Sequence, residues 1–286
     1  MSKRGNDSEK WDLVIGPKRG WLDLKLKDIW LYRDLVFHFV RRDFVAFYKQ
    51  TILGPLWYII QPLLTTLVFT VIFGKVAKIP TDGVPPFIFY LSGTVAWGYF
   101  SNCLKETSDT FIKNSKIFGK VYFPRLTVPL SVVIINLAKF GIQFLLFLGF
   151  LVYFIKIESP IKPNLFILFL PVLLLQMATL SLGAGILISS MTTKYRDVKF
   201  LVGFGIQLWM YATPVVYSVS AVPERFRFVY MLNPLASIIE TFRYSFLGTG
   251  AVNAVDILIS WGVTILLLVS GIILFNRVDK TFMDTV

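Results

Sequence analysis

The sequence predicts an all-α integral membrane protein of six transmembrane helices, with an amphipathic helix ahead of them and two short non-spanning helices between the fifth and the sixth. Of the 286 residues 55% are hydrophobic and 16% charged, and mean hydropathy is +0.67, whereas a soluble domain carries about a quarter charged residues. The apolar residues form runs near or above the ~20 needed to cross about 30 Å of hydrocarbon. Clusters of Lys, Arg, Pro and Asn separate those runs.

Residues 1–27 form a charged tail with no apolar core, so no cleavable signal peptide is expected and insertion must use the internal spans. Residues 28–50 predict a helix of another kind. At 100° per residue Val36, Val40, Phe44 and Phe47 share an arc of about 80°, with Asp34, His38, Arg41, Arg42 and Lys49 opposite. Such a helix lies along the membrane surface. Arg33 and Asp43 interrupt the apolar arc, so the helix is either a plain surface anchor or a docking element that also meets protein.

The six-span domain occupies residues 51–286, with spans at about 53–74, 84–104, 127–155, 163–190, 200–217 and 253–275. An even number of crossings puts both termini on one side. The segments of that side hold 21 Lys and Arg against seven on the other, with Lys139 inside a span, so both ends are expected in the cytoplasm. Between spans two and three, "KETSDTFIKNSKIFGKVYFPR" (105–125) is longer than a tight turn needs, and Pro124 marks a helix boundary. It is either a basic loop obeying the charge bias or a short helix that receives force from a partner.

Catalytic chemistry is not evident. The chain has one histidine, His38, and one cysteine, Cys103; no GxxxxGK[ST] phosphate loop, no clustered carboxylates and no His/Cys metal spacing occur. Any nucleotide chemistry, with its ATP and magnesium, belongs to another chain. Polar groups nevertheless enter the spans. Asn136, Lys139 and Gln143 fall within about 60° on the third span, and Lys139 is about 21 Å along the axis from Arg125, near mid-membrane. An isolated charge there costs at least ~2.5–3.5 kcal/mol, so this face looks into protein or water. It either lines a pathway or bonds a neighbouring helix. Gln61 beside Pro62 in the first span, and Gln207, Trp209 and Tyr211 in the fifth, complete the candidate lining set; amides and aromatic rings can hold a sugar polymer weakly enough to let it move.

The stretch "MLNPLASIIETFRYSFLG" (231–248) is too polar to cross and too apolar for a solvated loop. Pro223 and Pro234 suit helix starts and Gly248 a stop. Glu240 and Arg243, three apart, can pair on one face, while Ile238, Ile239, Phe242 and Phe246 meet the spans. The result is either a hairpin sealing the outer rim or an exit gate.

Four blocks, kept in order, resemble one family: "FYKQTILGPLWYIIQPLLTTLVFTVIFGKVAKIPTDGVPPFIFYLSGTVAWGYFSNCL", "KVYFPRLTVPLS", "TKYRDVKFLVGFGIQLWMYATPVVY" and "VPERFRFVYMLNPLASIIETFRYSFLG". They resemble the permease subunit of bacterial polysaccharide-exporting ABC transporters over about residues 30–275, O-antigen exporters first, with teichoic-acid and capsule exporters beside them. The resemblance implies a homodimer in the inner membrane joined to two copies of a separate ATPase. It implies that Lys113, Lys116, Phe118, Lys120 and Tyr122 belong to a coupling helix seated in that ATPase, with Arg41 and Arg42 on the surface helix beside it. The two short helices become re-entrant exit gates, where Arg225, Arg227 and Arg243, with Glu240, are expected to meet the pyrophosphate of a polyprenyl-linked glycan. A two-fold axis would give a glycan-wide pathway that six packed helices of one chain lack. The competing readings are an integral-membrane glycan polymerase or glycosyltransferase, against which stands the lack of a D-x-D or clustered acids; a secondary transporter, against which stands the lack of an inverted repeat; and an exporter of another lipid or of a drug.

Overall fold

The structure is a computed structural model that describes residues 26–50, 52–195, 197–250 and 252–285; most of the N-terminal tail (1–25) and the side chain of Phe47 lie outside that description. The described residues form helices and connecting turns, with no strand among them. Helices α1 (Leu26–Leu31) and α2 (Arg33–Gln50) meet at Tyr32, and α2 lies against α6 (Thr127–Lys156). The buried stripe of α2 is Val36 and Phe39, the latter 5.8 Å from the Phe123 ring, while Phe44 stays exposed. The stripe is therefore turned toward Phe39 from the expected arc. The cause is a protein surface, α6 and the Phe123 turn, beneath the helix.

Among the described residues four helices are long and apolar enough to cross a membrane: Gly54–Val76, Thr127–Lys156, Leu165–Lys194 and Ala254–Asp279. The first joins α3 (Trp57–Phe69) to a π-helical turn, Thr70–Val76. The others are α6, α7 (Leu170–Lys194) with the turn before it, and the first 26 residues of α11 (Ala254–Thr285). The remaining two expected spans are helical but differ in kind. Helix α4 (Pro86–Ser108) has spanning length at 23 residues, yet it is the centre of the bundle, packed on α7, α6, α3 and α10 (Pro234–Leu247). Ile88, Phe89, Tyr90, Leu91, Val95, Ala96, Phe100 and Cys103 are at most 1% exposed. A helix enclosed by protein can use Ser, Gly, Thr, Trp and Tyr, which dilutes its hydropathy. Helix α8 (Val198–Tyr211) stops after 14 residues, about 21 Å, because Pro214 lacks an N–H and disfavours helical backbone at Thr213.

Close packing of α7 depends on small residues. A Cβ on Gly183 would sit 2.6 Å from Leu268 Cα of α11, and one on Gly185 would sit 2.6 Å from Thr107 Cβ of α4. The glycines let three backbones approach where lipid offers no hydrophobic drive for association. One core surrounds α4; a second gathers Phe39, Phe111, Phe118, Phe123 and Phe275 at the opposite end of the molecule from α10. Shorter helices mark the ends: α5 (Thr110–Phe118) follows α4, and a turn at Glu224–Phe226 leads into α9 (Arg227–Met231) and α10.

Candidate functional site

At the α5 end, aromatic packing sets the position and basic residues make the surface. Phe111 is fully buried and stacks 4.7 Å from Phe275 of α11, while its backbone N–H donates to Ser189 Oγ of α7 at 3.2 Å. Asp109 holds Lys113 at 3.3 Å and Lys199, from the start of α8, at 3.6 Å. Arg125 pairs with Asp279 at 2.9 Å, and burial lowers its pKa from the ordinary arginine value. Helix α5 is thus fastened to α7, α8 and α11 together. Of the expected coupling residues, Lys116, Lys120 and Tyr122 are exposed with Lys113, and so are Arg41 and Arg42. Phe118 is the exception: it is buried against Phe111 and Phe123 and anchors the helix from beneath.

One turn further in, the candidate lining set divides. Lys139 Nζ lies 2.9 Å from Glu106 Oε1 and 5.9 Å from the Tyr58 ring centre, and Asn136 Nδ2 donates to Glu106 Oε2 at 2.9 Å. Glu106 is two residues from the end of α4. Lys139 is therefore tied to the last turn of α4. Its charge is balanced by a carboxylate that the sequence reading placed in a loop. Gln143 approaches α4 at Gly98, whereas Gln61 and Gln207 point outward.

Near the α10 end the decisive group is Arg243. It is 4% exposed, and its five N–H groups are matched by five acceptors. Nε donates to Ser92 Oγ at 3.3 Å; Nη1 donates to the carbonyls of Pro214 and, at 3.2 Å, Tyr217; Nη2 donates to those of Val215 at 2.6 Å and Phe89 at 3.5 Å. The guanidinium also sits 3.7 Å from the centre of the Phe89 ring. Pro214 ends α8 and leaves carbonyls without helical partners, and Arg243 supplies them. This differs from the expected pair with Glu240 and from an arginine presented to the exterior. Glu240 lies instead along a 520 Å³ hollow with Asp82, Glu224, Asp256 and Arg227. Arg225 and Arg227 are exposed.

Asn233 makes the second joint of this seam. Its Oδ1 accepts from Leu235 N at 3.2 Å, capping α10, and from Trp209 Nε1 at 3.1 Å; its Nδ2 donates to Ala212 O at 3.1 Å and Thr213 Oγ1 at 2.9 Å. Trp209 meets Phe100 edge-on at 5.1 Å, so it faces the α4 core, while Tyr211 is exposed. The start of α10 is held well inside the bundle, since Pro234 O accepts from Ser260 Oγ at 2.9 Å and Ser260 accepts from Gln176 at 2.7 Å. Its end, at Gly248 with φ 75°, lies against Lys162 in the turn before α7.

The family profile of ABC-2 type transporters matches residues 34–247, from α2 through α10. The chain belongs to the ABC-2 type transporter family. Among its relatives are two Klebsiella pneumoniae proteins named O-antigen export system permease protein RfbA. One is 29% identical over 251 residues, 88% of this chain and 94% of the relative; the other is 29% identical over 265 residues, 92% and 99%. A Myxococcus xanthus protein of the same name is 25% identical over 266 residues, 91% and 98%. Inner membrane transport permease YadH of Escherichia coli K12 is 24% identical over 222 residues, 74% and 83%.

In this ABC-2 chain the residues missed at the sequence level are Glu106, Asp109, Asn233, Asp82 and Ser218. Asp82, in a turn with φ 50°, accepts from the Ser218 hydroxyl and from Ser220 Oγ at 2.8 Å, joining the loop after α3 to the loop after α8. The one legible signal among them is Asn-Pro at 233–234, a helix cap followed by proline at the first helical position. Among the described residues no group of three or more His, Cys, Asp or Glu side chains is gathered to hold a metal ion.

Proposed function

We propose that this ABC-2 protein is the permease subunit of an ATP-driven exporter that moves a polyprenyl-pyrophosphate-linked polysaccharide of O-antigen type across the inner membrane. It works as a homodimer with two copies of a separate ATPase. The observation that carries the reading is the similarity, over 88% and 92% of the chain, to proteins named as O-antigen export permeases. In this scheme both termini and α5 face the cytoplasm. The chain crosses six times, with α4 enclosed by the other helices and α8 extended by the turn through Tyr217. Helices α9 and α10 dip into the membrane and return; non-spanning backbone at that depth must be buried in protein, and Arg243 and Asn233 provide for it.

The mechanism follows from the fastenings. Closure of the ATPases on ATP pushes α5, whose exposed Lys113, Lys116 and Lys120 meet the partner while Phe111 and Phe118 carry the load inward. Because α5 is tied to α7, α8 and α11, the push displaces the whole bundle of each protomer rather than one loop. At the far end α8 and α10 move as one piece through Asn233 and Arg243, so the outer gate opens with the spans. Affinity purification of the tagged chain from its own cells is expected to recover a soluble ATPase in 1:1 ratio, and Phe111→Ala should reduce that recovery severalfold. Recovery of the chain without any ATPase would favour the glycosyltransferase or secondary-transporter readings.

A further inference from the structure

An apolar groove of 490 Å³ runs between the N-terminal helices and α6, lined by Ile29, Val36 and Val40 on one wall and Leu130 and Ile134 on the other. Trp30 and Phe37 stand at its rim, 71% and 66% exposed. Arg33, also on the rim, donates to the Trp30 carbonyl at 3.5 Å, with its guanidinium 5.5 Å from the Trp30 ring centre. Arg41, one turn beyond Phe37, is exposed as well. Among the described residues neither arginine has a carboxylate partner, in contrast to Arg42, which pairs with Asp43 at 2.7 Å.

Two aromatic rings beside an apolar slot would be costly in water, and an unpaired guanidinium would be costly in hydrocarbon. Both are satisfied by one molecule with a hydrocarbon tail and an anionic head. We infer that the α2–α6 groove is a binding site for an anionic glycerophospholipid, with an acyl chain between Val40 and Ile134 and the phosphate on Arg33. Volume and charge agree with this. The groove is within the usual size range of ligand sites, and basic residues at a membrane surface select anionic over zwitterionic lipid. The inference rests on the proposed membrane placement of α2, but not on export. A lipid seated there would wedge α2 against α6, the contact that holds the surface helix beside α5.

The test uses the full chain in phosphatidylcholine nanodiscs, with brominated phosphatidylglycerol or brominated phosphatidylcholine as quencher and the Trp30→Phe variant subtracted to isolate Trp30. Brominated phosphatidylglycerol is expected to quench Trp30 at about fivefold lower mole fraction. Arg33→Gln should bring the two lipids to equal effect, and Ile134→Phe, which fills the groove, should weaken quenching by both. Equal quenching in the unmodified chain, or a preference that survives Arg33→Gln, would overturn the site. Protection of Trp30 from both lipids by the ATPase partner would also overturn it, by making the occupant a protein. Quenching requires no transport, so a failed lipid site and a failed exporter reading register separately.

Discussion

Arg243→Met is expected to remove most of the folded protein from detergent extracts, with little material surviving at the elution position of the unmodified chain. The substitution leaves the carbonyls of Pro214, Val215 and Tyr217 without donors inside the protein. Each such group costs ~1–3 kcal/mol. Removing a desolvated guanidinium offsets part of that loss; the remainder, ~3 kcal/mol or more, is a large share of a total stability of about 5–15 kcal/mol. Arg243→Lys keeps the charge but offers three donors from a point, so it should fall between the two. Gly93→Ala should resemble Arg243→Met, because a Cβ there would lie 2.7 Å from Arg243 Nη2 and 2.8 Å from Val215 O. The check is the melting midpoint by fluorescence-detected size exclusion. A well-folded Arg243→Met protein that no longer exports would instead assign Arg243 to the lipid pyrophosphate.

The second large effect concerns Glu106 and Lys139. Either Lys139→Met or Glu106→Gln alone leaves its partner's charge half-buried and unmatched. Complete burial of a broken pair would cost ~3–5 kcal/mol; with the side chains 16% and 34% exposed, about 1–3 kcal/mol is expected from each single change. The double variant Glu106→Gln, Lys139→Gln should recover most of the stability and the export rate, because an amide pair can still bridge α4 and α6. A double variant that is stable but fails to export would return Lys139 to the pathway.

Sequence periodicity made four spans legible because those helices carry long apolar runs, and the glycine and proline punctuation located the two ends of α10. It did not show that α4 lies at the centre of the bundle: a helix surrounded by protein needs no lipid-compatible surface, so its composition resembles that of a soluble core. Lys139 was legible as a charge requiring a partner. The partner was not, because Glu106 follows Lys105 in a polar stretch that reads as a loop, whereas α4 continues to Ser108. Arg243 was misread for a related reason. Its spacing from Glu240 suggests a local pair, whereas three of its five acceptors are carbonyls 26–29 residues upstream, exposed by a proline whose effect on α8 is local but whose remedy is not.

In the proposed function this ABC-2 chain passes a lipid-linked glycan through the membrane at the expense of ATP hydrolysed by another subunit. Its most direct test is transport into sealed vesicles that contain the purified permease–ATPase complex, with polyprenyl-pyrophosphate-linked glycan supplied on the ATPase side. Glycan is expected to become inaccessible to an external glycosidase only when ATP is present, and a lysine-to-alanine change in the partner's phosphate loop should abolish this protection. Protection that proceeds equally without ATP, or with the altered partner, would contradict it.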